Sequence, residues 1–266
     1  MRFVWFLAVA AMFSFPSIAR AQINLAWNDC ITQVSAAENL QYACNGSRNG
    51  VPFKLVASFI PPNDLPRFVA GMLIIDVSMP GADPPLPDWW RYQRAFPSSG
   101  IPECRDGNLI FPTSNNGVGT GTSGACQNPW LGGFTGGGLQ YNNHGDDASG
   151  IFAGDHDKAR MLVSFARSNA FTMVGNQQYH FAVIEIDSYG DVATEDHSVC
   201  QGCCQPVLIT LVSVELDQEA GAPGGDVIYL TTPATRNYVW WQQNGCNGDA
   251  VPTRKSSWGA IKATYR

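Results

Sequence analysis

Charge is scarce in this chain: Asp, Glu, Lys and Arg together make up 14% of 266 residues, and the 16 basic residues are outnumbered by 22 acidic ones. A nucleic-acid partner needs clustered Lys and Arg to neutralise phosphates, so that class of function is disfavoured. After the first 21 residues no apolar run approaches the roughly 20 residues that cross a bilayer, so no membrane anchor is expected. Amphipathic helical patterns of 10–15 residues between strand-like runs are missing too, which argues against alternating strand–helix architectures. There is no internal repeat, no G-x-S-x-G elbow and no H-E-x-x-H. The G-x-G-x-x-G string Gly119–Gly124 runs from "PTSNNGV" into Cys126 rather than from a buried strand into a helix, so it fails as a dinucleotide site.

What is present starts with "MRFVWFLAVAAMFSFPSIARAQ": Arg2, an apolar block from Phe3 to Phe15, and small residues Ala19 and Ala21. This is the pattern of a secretory signal peptide over 1–21, cleaved after Ala21, and it predicts a secreted or periplasmic protein. Removing Arg2 and Arg20 leaves 14 basic against 22 acidic residues, a net charge near −8. The remainder, 22–266, is read as one domain. Its 27 Gly and 17 Pro over the whole chain suit many short strands joined by turns. "PFKLVASFI" (Pro52–Ile60) alternates, with Phe53, Leu55, Ala57 and Phe59 on one face; "RFVAGMLIIDVSM" (Arg67–Met79) is apolar on both faces and predicts a central strand. "NLIF" (Asn108–Phe111), "ARMLVSFAR" (Ala159–Arg167), "QYHFAVIEID" (Gln178–Asp187), "PVLITLVSVEL" (Pro206–Leu216) and "DVIYLTT" (Asp226–Thr232) continue the series, separated by turn signals. The prediction is an all-β fold, an antiparallel, jelly-roll-like β-sandwich with Gly/Pro-rich loops. Ser35–Ala43 and Ser256–Arg266 are its two short helical candidates.

Eight cysteines follow the signal: Cys30, Cys44, Cys104, Cys126, Cys200, Cys203, Cys204 and Cys246. An even count in an exported chain reads as disulfides. Proximity in sequence pairs Cys30 with Cys44, Cys104 with Cys126 and Cys200 with Cys203, leaving Cys204 for Cys246. The crowded "CQGCCQP" (Cys200–Pro206) also admits a redox or, with His197, a zinc reading. A strand pattern rather than a helix N-terminus follows it, however, and no second ligand pair is in sight.

Two groups of residues could carry function. The four histidines His144, His156, His180 and His197 share one stretch with Asp146, Asp147, Asp155, Asp157, Glu185, Asp187, Asp191, Glu195 and Asp196. Asp146, Asp147, Asp155 and Asp157 are the candidate metal ligands, with calcium as the cation; no cofactor is otherwise expected, and the plain alternative is a solvated acidic loop. His180, inside a strand pattern, reads as a packing or edge residue rather than a ligand. The second group is aromatic: Trp89 and Trp90 after a proline-rich loop, and Trp240 and Trp241 in "NYVWWQQNG". Neighbours in a strand face opposite ways, so one ring of each pair can fill the core while the other meets a sugar ring or a partner protein; the plain alternative is that the second ring lies under a loop.

Taken together, "INLAWNDC", "VASFIPPNDLPRFVAGMLIIDV", "PDWW", "CQGCCQP", "NYVWWQQNG" and "SSWGAIKATYR" resemble a loose set of exported bacterial proteins that carry no assigned activity. The resemblance runs from Ile23 to Arg266 and implies a bacterial source, export and a cysteine-stapled β fold. The adjacent Cys203-Cys204 departs from that set, where the third cysteine falls a few residues later, inside the strand. The expectation is a non-catalytic module that binds a glycan or an extracellular protein. Its rival is a secreted hydrolase, glycosidase- or esterase-like, built from the His/Asp/Glu-rich loops between residues 144 and 197.

Overall fold

A computed structural model of the chain describes residues 22–44, 51–81, 85–92, 105, 108–111, 126–132, 135–143, 157–188 and 200–246. These residues form strands β1 (Gln22–Trp27), β2 (Asn39–Leu40), β3 (Phe53–Ile60), β4 (Leu65–Ser78), β5 (Leu109–Ile110), β6 (Thr135–Asn143), β7 (Lys158–Met173), β8 (Tyr179–Ile186), β9 (Val207–Gln218), β10 (Val227–Leu230) and β11 (Tyr238–Trp241), with one 3-10 turn at Asp88–Trp90. A smaller sheet runs β1-β3-β8-β5; a larger one runs β2-β11-β9-β4-β7-β6, with β10 added beside β9. All strand pairs are antiparallel except β11 with β2. The protein is an all-β sandwich, as its alternating runs predict.

The alternation decides which side chains meet between the sheets. On β3, Phe53, Leu55, Ala57 and Phe59 are buried, and Phe181, Ile184 and Ile186 of β8 join them. From the larger sheet come Leu73, Ile75 and Val77 of β4, Met161 and Val163 of β7, and Ile209, Leu211, Val214 and Leu216 of β9. β4 is central, between β7 and β9, as its doubly apolar pattern predicts.

The β1 edge of the smaller sheet is closed. The segment between β10 and β11 leaves the larger sheet and lies along β1, so that the N–H groups of Ile23 and Leu25 donate to the carbonyls of Thr232 (2.9 Å) and Arg236 (3.0 Å). The next outward donor, Trp27 N–H, reaches Ala37 O at 2.9 Å. An edge strand that would otherwise offer unpaired backbone groups is thereby satisfied. Across the sheet, β8 takes β5 and the isolated residue Gln127, whose carbonyl accepts from His180 N–H at 2.7 Å.

This closure corrects the predicted helix at Ser35–Ala43. Its backbone serves two sheets instead of itself: Ala37 pairs with Trp27, and Asn39–Leu40 runs parallel to Trp240–Trp241. The disulfides need correcting for the same reason. Cys30 bonds Cys126 and Cys44 bonds Cys203, so the short loops Cys30–Cys44, Cys104–Cys126 and Cys200–Cys203 do not form; Cys204–Cys246 does. Strand pairing places the Cys44 segment beside β11 and the Cys203 turn, whereas sequence distance keeps them 159 residues apart. Cys200 is also disulfide-bonded. The signal segment 1–21, the terminal helical candidate 256–266, the glycine string 119–124 and Cys104 lie outside the described residues.

Candidate functional site

The sandwich has two outer faces, and they are built differently. On the smaller sheet, Ala26, Val56 and Val183 form one cross-strand row, and the Cys30–Cys126 disulfide packs on it as a second small core. The next row, Asn24, Ser58 and His180, is polar and almost wholly buried. Gln178 Nε2 donates to Ser58 Oγ at 2.8 Å, and Thr32 Oγ1 donates to Gln178 Oε1 at 2.9 Å. His180 Nδ1 has no hydrogen-bond partner, and burial pushes its pKa down to about 3. A neutral ring that solvent does not reach and that does not bond Ser58 is a packing residue, as its strand position predicts.

Among the described residues, nothing comparable packs on the larger sheet. Its outward side chains form five cross-strand rows, readable from the register. Trp240, Leu208, Ser78 and Lys158 make the first; Tyr238, Thr210, Asp76, Arg160 and Asn142 the second; Ser213, Ile74, Leu162 and Gln140 the third. Tyr229, Glu215, Met72, Ser164 and Gly138 form the fourth, and Val227, Asp217, Ala70, Ala166 and Gly136 the fifth. Met72, Ile74, Leu162 and Leu208 are only half-buried. Among the described residues, no further layer packs on this second apolar face of β4.

Exposed rings line one side of this face. Tyr229 is 67% exposed and Tyr238 37%, and Val212 and Val227 are exposed beside them. Val212 is the extra residue of a β-bulge, which turns it outward together with Ser213. With β4 as a ruler, the Trp240 and Tyr238 rows lie two residues apart and the Tyr238 and Tyr229 rows four, or about 7 and 13 Å at the strand rise. The three rings thus follow the strand axis over roughly 20 Å.

Electrostatics differ along the stripe. In the second row Arg160 grips Asp76 with two hydrogen bonds, Nε to Oδ1 at 2.6 Å and Nη2 to Oδ2 at 2.8 Å. In the fourth and fifth rows Glu215 and Asp217 stand two residues apart on the outward side of β9, with Tyr229 opposite Glu215 and Val227 opposite Asp217. Partial burial, followed by the charge and hydrogen bond of Glu215, holds the Asp217 carboxyl above its usual range. Hydrogen bonding to Glu215, then its charge, raises the Tyr229 phenol.

The predicted tryptophan platform is largely internal. Trp89, Trp90 and Trp241 are fully buried, so neither ring of the first pair faces outward; only Trp240, half-buried, lies on the open face. Trp89 stacks on Trp241 with centroids 4.4 Å apart, and the Arg105 guanidinium lies over Trp89 at 3.6 Å. Trp241 Nε1 donates to Cys203 O at 2.6 Å. The "CQGCCQP" turn seals this cluster. Gly202 takes φ +88°, and a Cβ there would stand 2.4 Å from Pro87 Cβ, so the turn requires glycine. Cys200, Cys203 and Cys204 are all disulfide-bonded, which leaves no thiolate for the redox or zinc readings. The sulfurs of Cys44, Cys204 and Cys246 lie within 4.8 Å of one another because two disulfides touch.

Of the candidate metal ligands, Asp146, Asp147 and Asp155 lie outside the described residues, as do His144, His156, His197, Asp191, Glu195 and Asp196. Asp157 lies in the turn just before β7, with its carbonyl accepting from Met79 N–H at 3.0 Å. Glu185 stands 4.0 Å from Lys54 on the smaller sheet. The residues missed in the sequence are Tyr229, Glu215 and Asp217. A signal for them existed: the outward positions of "DVIYLTT" are Val227 and Tyr229, where a solvated strand face would be polar. No family model, curated protein or solved structure matches the chain.

Proposed function

We propose that the chain is an exported, non-catalytic binding module that holds an extended glycan on the open face of the larger sheet. The carrying observation is the line of Trp240, Tyr238 and Tyr229 along the strand axis, with hydroxyl and amide side chains (Thr210, Ser213, Ser164, Gln140, Asn142) across the same face. Aromatic rings held on a rigid sheet stack on the apolar faces of sugars at little entropic cost, and neighbouring polar groups take the hydroxyls. Export through the 1–21 signal fits the disulfides, which persist in oxidising compartments, and among the described residues no helix is long and apolar enough to cross a membrane. The hydrolase reading draws no support from its described members, since His180 is buried and neutral and Glu185 is beside Lys54.

Affinity electrophoresis against a panel of bacterial, plant and fungal polysaccharides tests this reading. At least one polysaccharide should retard the protein without being shortened, and Tyr229→Ala/Tyr238→Ala should migrate freely. Retardation undiminished in that variant, or depolymerisation of the polysaccharide, would overturn it.

A further inference from the structure

We infer that Cys44–Cys203 and Cys204–Cys246 form a single thiol–disulfide exchange site, at which a dithiol reductant moves the bridge to Cys44–Cys246 and releases Cys203 and Cys204 as adjacent thiols. Two independent features of the chain gather the four sulfurs. Sequence joins one member of each bridge, since Cys203 and Cys204 are neighbours in "CQGCCQP". Strand pairing joins the other two: β2 runs parallel to β11, with Asn39 opposite Trp240 and Leu40 opposite Trp241, and Cys44 and Cys246 follow the same ends of those strands a few residues on. The Sγ atoms of Cys44, Cys204 and Cys246 accordingly lie within 4.8 Å of one another, and Cys203 is bonded to Cys44.

Gln242 is the second observation. Its Nε2 donates to Cys44 Sγ at 3.3 Å and to Cys246 Sγ at 3.6 Å, one sulfur from each bridge. The same amide is fixed by the Tyr42 backbone, Oε1 accepting from Tyr42 N–H at 3.1 Å and Nε2 donating to Tyr42 O. Gln242 N–H donates in turn to Leu40 O at 2.9 Å. The residue is fully buried and takes φ +52°, a left-handed backbone that costs energy for any residue with a Cβ. A donor touching both sulfurs stabilises a thiolate on either one, which raises the thiolate fraction and makes that sulfur the better leaving group.

All four cysteines are bonded in the resting protein, so the exchange begins with an incoming thiolate. Cys204 is half-buried while its partner Cys246 is buried, which directs attack to Cys204 Sγ. That attack forms a mixed disulfide and expels Cys246 as a thiolate beside Gln242. The second thiol of the reductant closes on the first and leaves as a cyclic disulfide, and Cys204 takes a proton. The Cys246 thiolate then attacks Cys44 Sγ, the Cys44–Cys203 bond breaks, and Cys203 takes the second proton. Entry at Cys44, the half-buried member of the other bridge, expels Cys203 first; the Cys44 thiolate then displaces Cys204 from Cys246 and gives the same product. Two electrons and two protons pass from the dithiol to the protein. One bridge remains, joining the ends of β2 and β11, and the turn that holds Cys203 and Cys204 over Trp241 is released from both. Cys30–Cys126, buried against Val56 and Val183, is the internal control.

Stepwise reduction of the native protein with dithiothreitol tests the site, followed by an acid stop, alkylation of free thiols and peptide mapping by mass spectrometry. The expected first product is alkylated at Cys203 and Cys204, carries a Cys44–Cys246 bridge and keeps Cys30–Cys126. Its rate of formation should rise about tenfold per pH unit below the ordinary thiol range, as the thiolate fraction does. In Cys204→Ser, Cys246 is released from the outset, and without any reductant Cys44–Cys246 should replace Cys44–Cys203 and leave Cys203 as the free thiol. A thermal melt establishes that this variant is folded, and the mapping of the native protein stands on its own where it is not. Alkylation of Cys204 and Cys246 with Cys44–Cys203 intact at every step overturns the inference, as does passage of the pair straight to four thiols with no single-bridge product. Persistence of Cys44–Cys203 in folded Cys204→Ser, or reduction of Cys30–Cys126 ahead of the pair, overturns it equally.

Discussion

The two outer faces of the sandwich begin from the same alternating chemistry and end differently. On the smaller sheet the outward residues Val56, Val183, Ser58 and His180 lie beneath the Cys30–Cys126 segments and are buried. On the larger sheet Met72, Ile74, Leu162 and Leu208 point outward with no comparable cover among the described residues, and Tyr229, Tyr238 and Val212 are exposed beside them. Covalent cross-links therefore decide which face becomes a second core and which remains a surface. The contrast also explains why the buried histidine carries no chemistry: it belongs to the covered face, while the paired carboxylates belong to the open one.

Adjacent tryptophans offer the sharpest break in this comparison. Trp241 faces inward, stacked on Trp89 and bonded to Cys203 O, so Trp241→Ala should lower stability by about 3–5 kcal/mol in urea denaturation. Trp240→Ala, one residue away on the open face, should cost about 1 kcal/mol and weaken polysaccharide retardation instead. Equal losses of stability would mean that the two faces are not distinct.

The cover itself is the next target. Cys30→Ser/Cys126→Ser opens a loop of 96 residues and should cost about 2–5 kcal/mol. Hydrogen exchange should then rise around Val56, Ser58 and His180, with binding on the larger sheet unchanged at temperatures where the protein is folded. Lost binding in the folded variant would show that the two faces are coupled.

Titration separates the faces with opposite signs. His180 is held at about 3 in the folded protein against an ordinary 6.5, so its contribution is present above pH 6.5 and is lost as the pH falls from there toward 3. The slope is up to about 1.4 kcal/mol per pH unit and should be missing in His180→Gln. Asp217 is raised, so its contribution is full below the ordinary carboxylate range and lost as the pH rises through its folded value; Asp217→Asn should remove that loss. The smallest effect belongs to the ion pairs. Asp76→Asn breaks a bidentate pair and should cost about 1 kcal/mol, while Lys54→Ala, whose partner lies 4.0 Å away, should cost under about 0.5 kcal/mol.

Most strands were legible because burial forces an apolar pattern: β3, β4, β8 and β9 were read within a residue or two of their bounds. The run read for β7 stops at Arg167, short of its end at Met173, because Ser168, Asn169 and Ala170 are all exposed and break the pattern. β6 was hidden by its glycines, since "TGGGLQYNN" reads as loop until β7 offers it a partner. Gly137 is required there, a Cβ meeting Ser164 O at 2.4 Å. Ser35–Ala43 misled because its composition suits a helix while its backbone partners lie about 200 residues away in β11. The disulfides failed for the same cause: locality in sequence carries no information about a closure made by strands switching sheets. The open face was half legible. Apolar residues on both faces of β4 point to a central strand, which it is, between β7 and β9, but they say nothing of which outward rings share its face.

Hydroxyl-radical footprinting of the protein with and without its retarding polysaccharide tests the central claim most directly. Tyr229, Tyr238 and Trp240 should be protected on binding, while Val34 and its neighbours in the segment that covers the smaller sheet keep their reactivity. Protection confined to that covering segment, with Tyr229 and Tyr238 unchanged, would contradict the account.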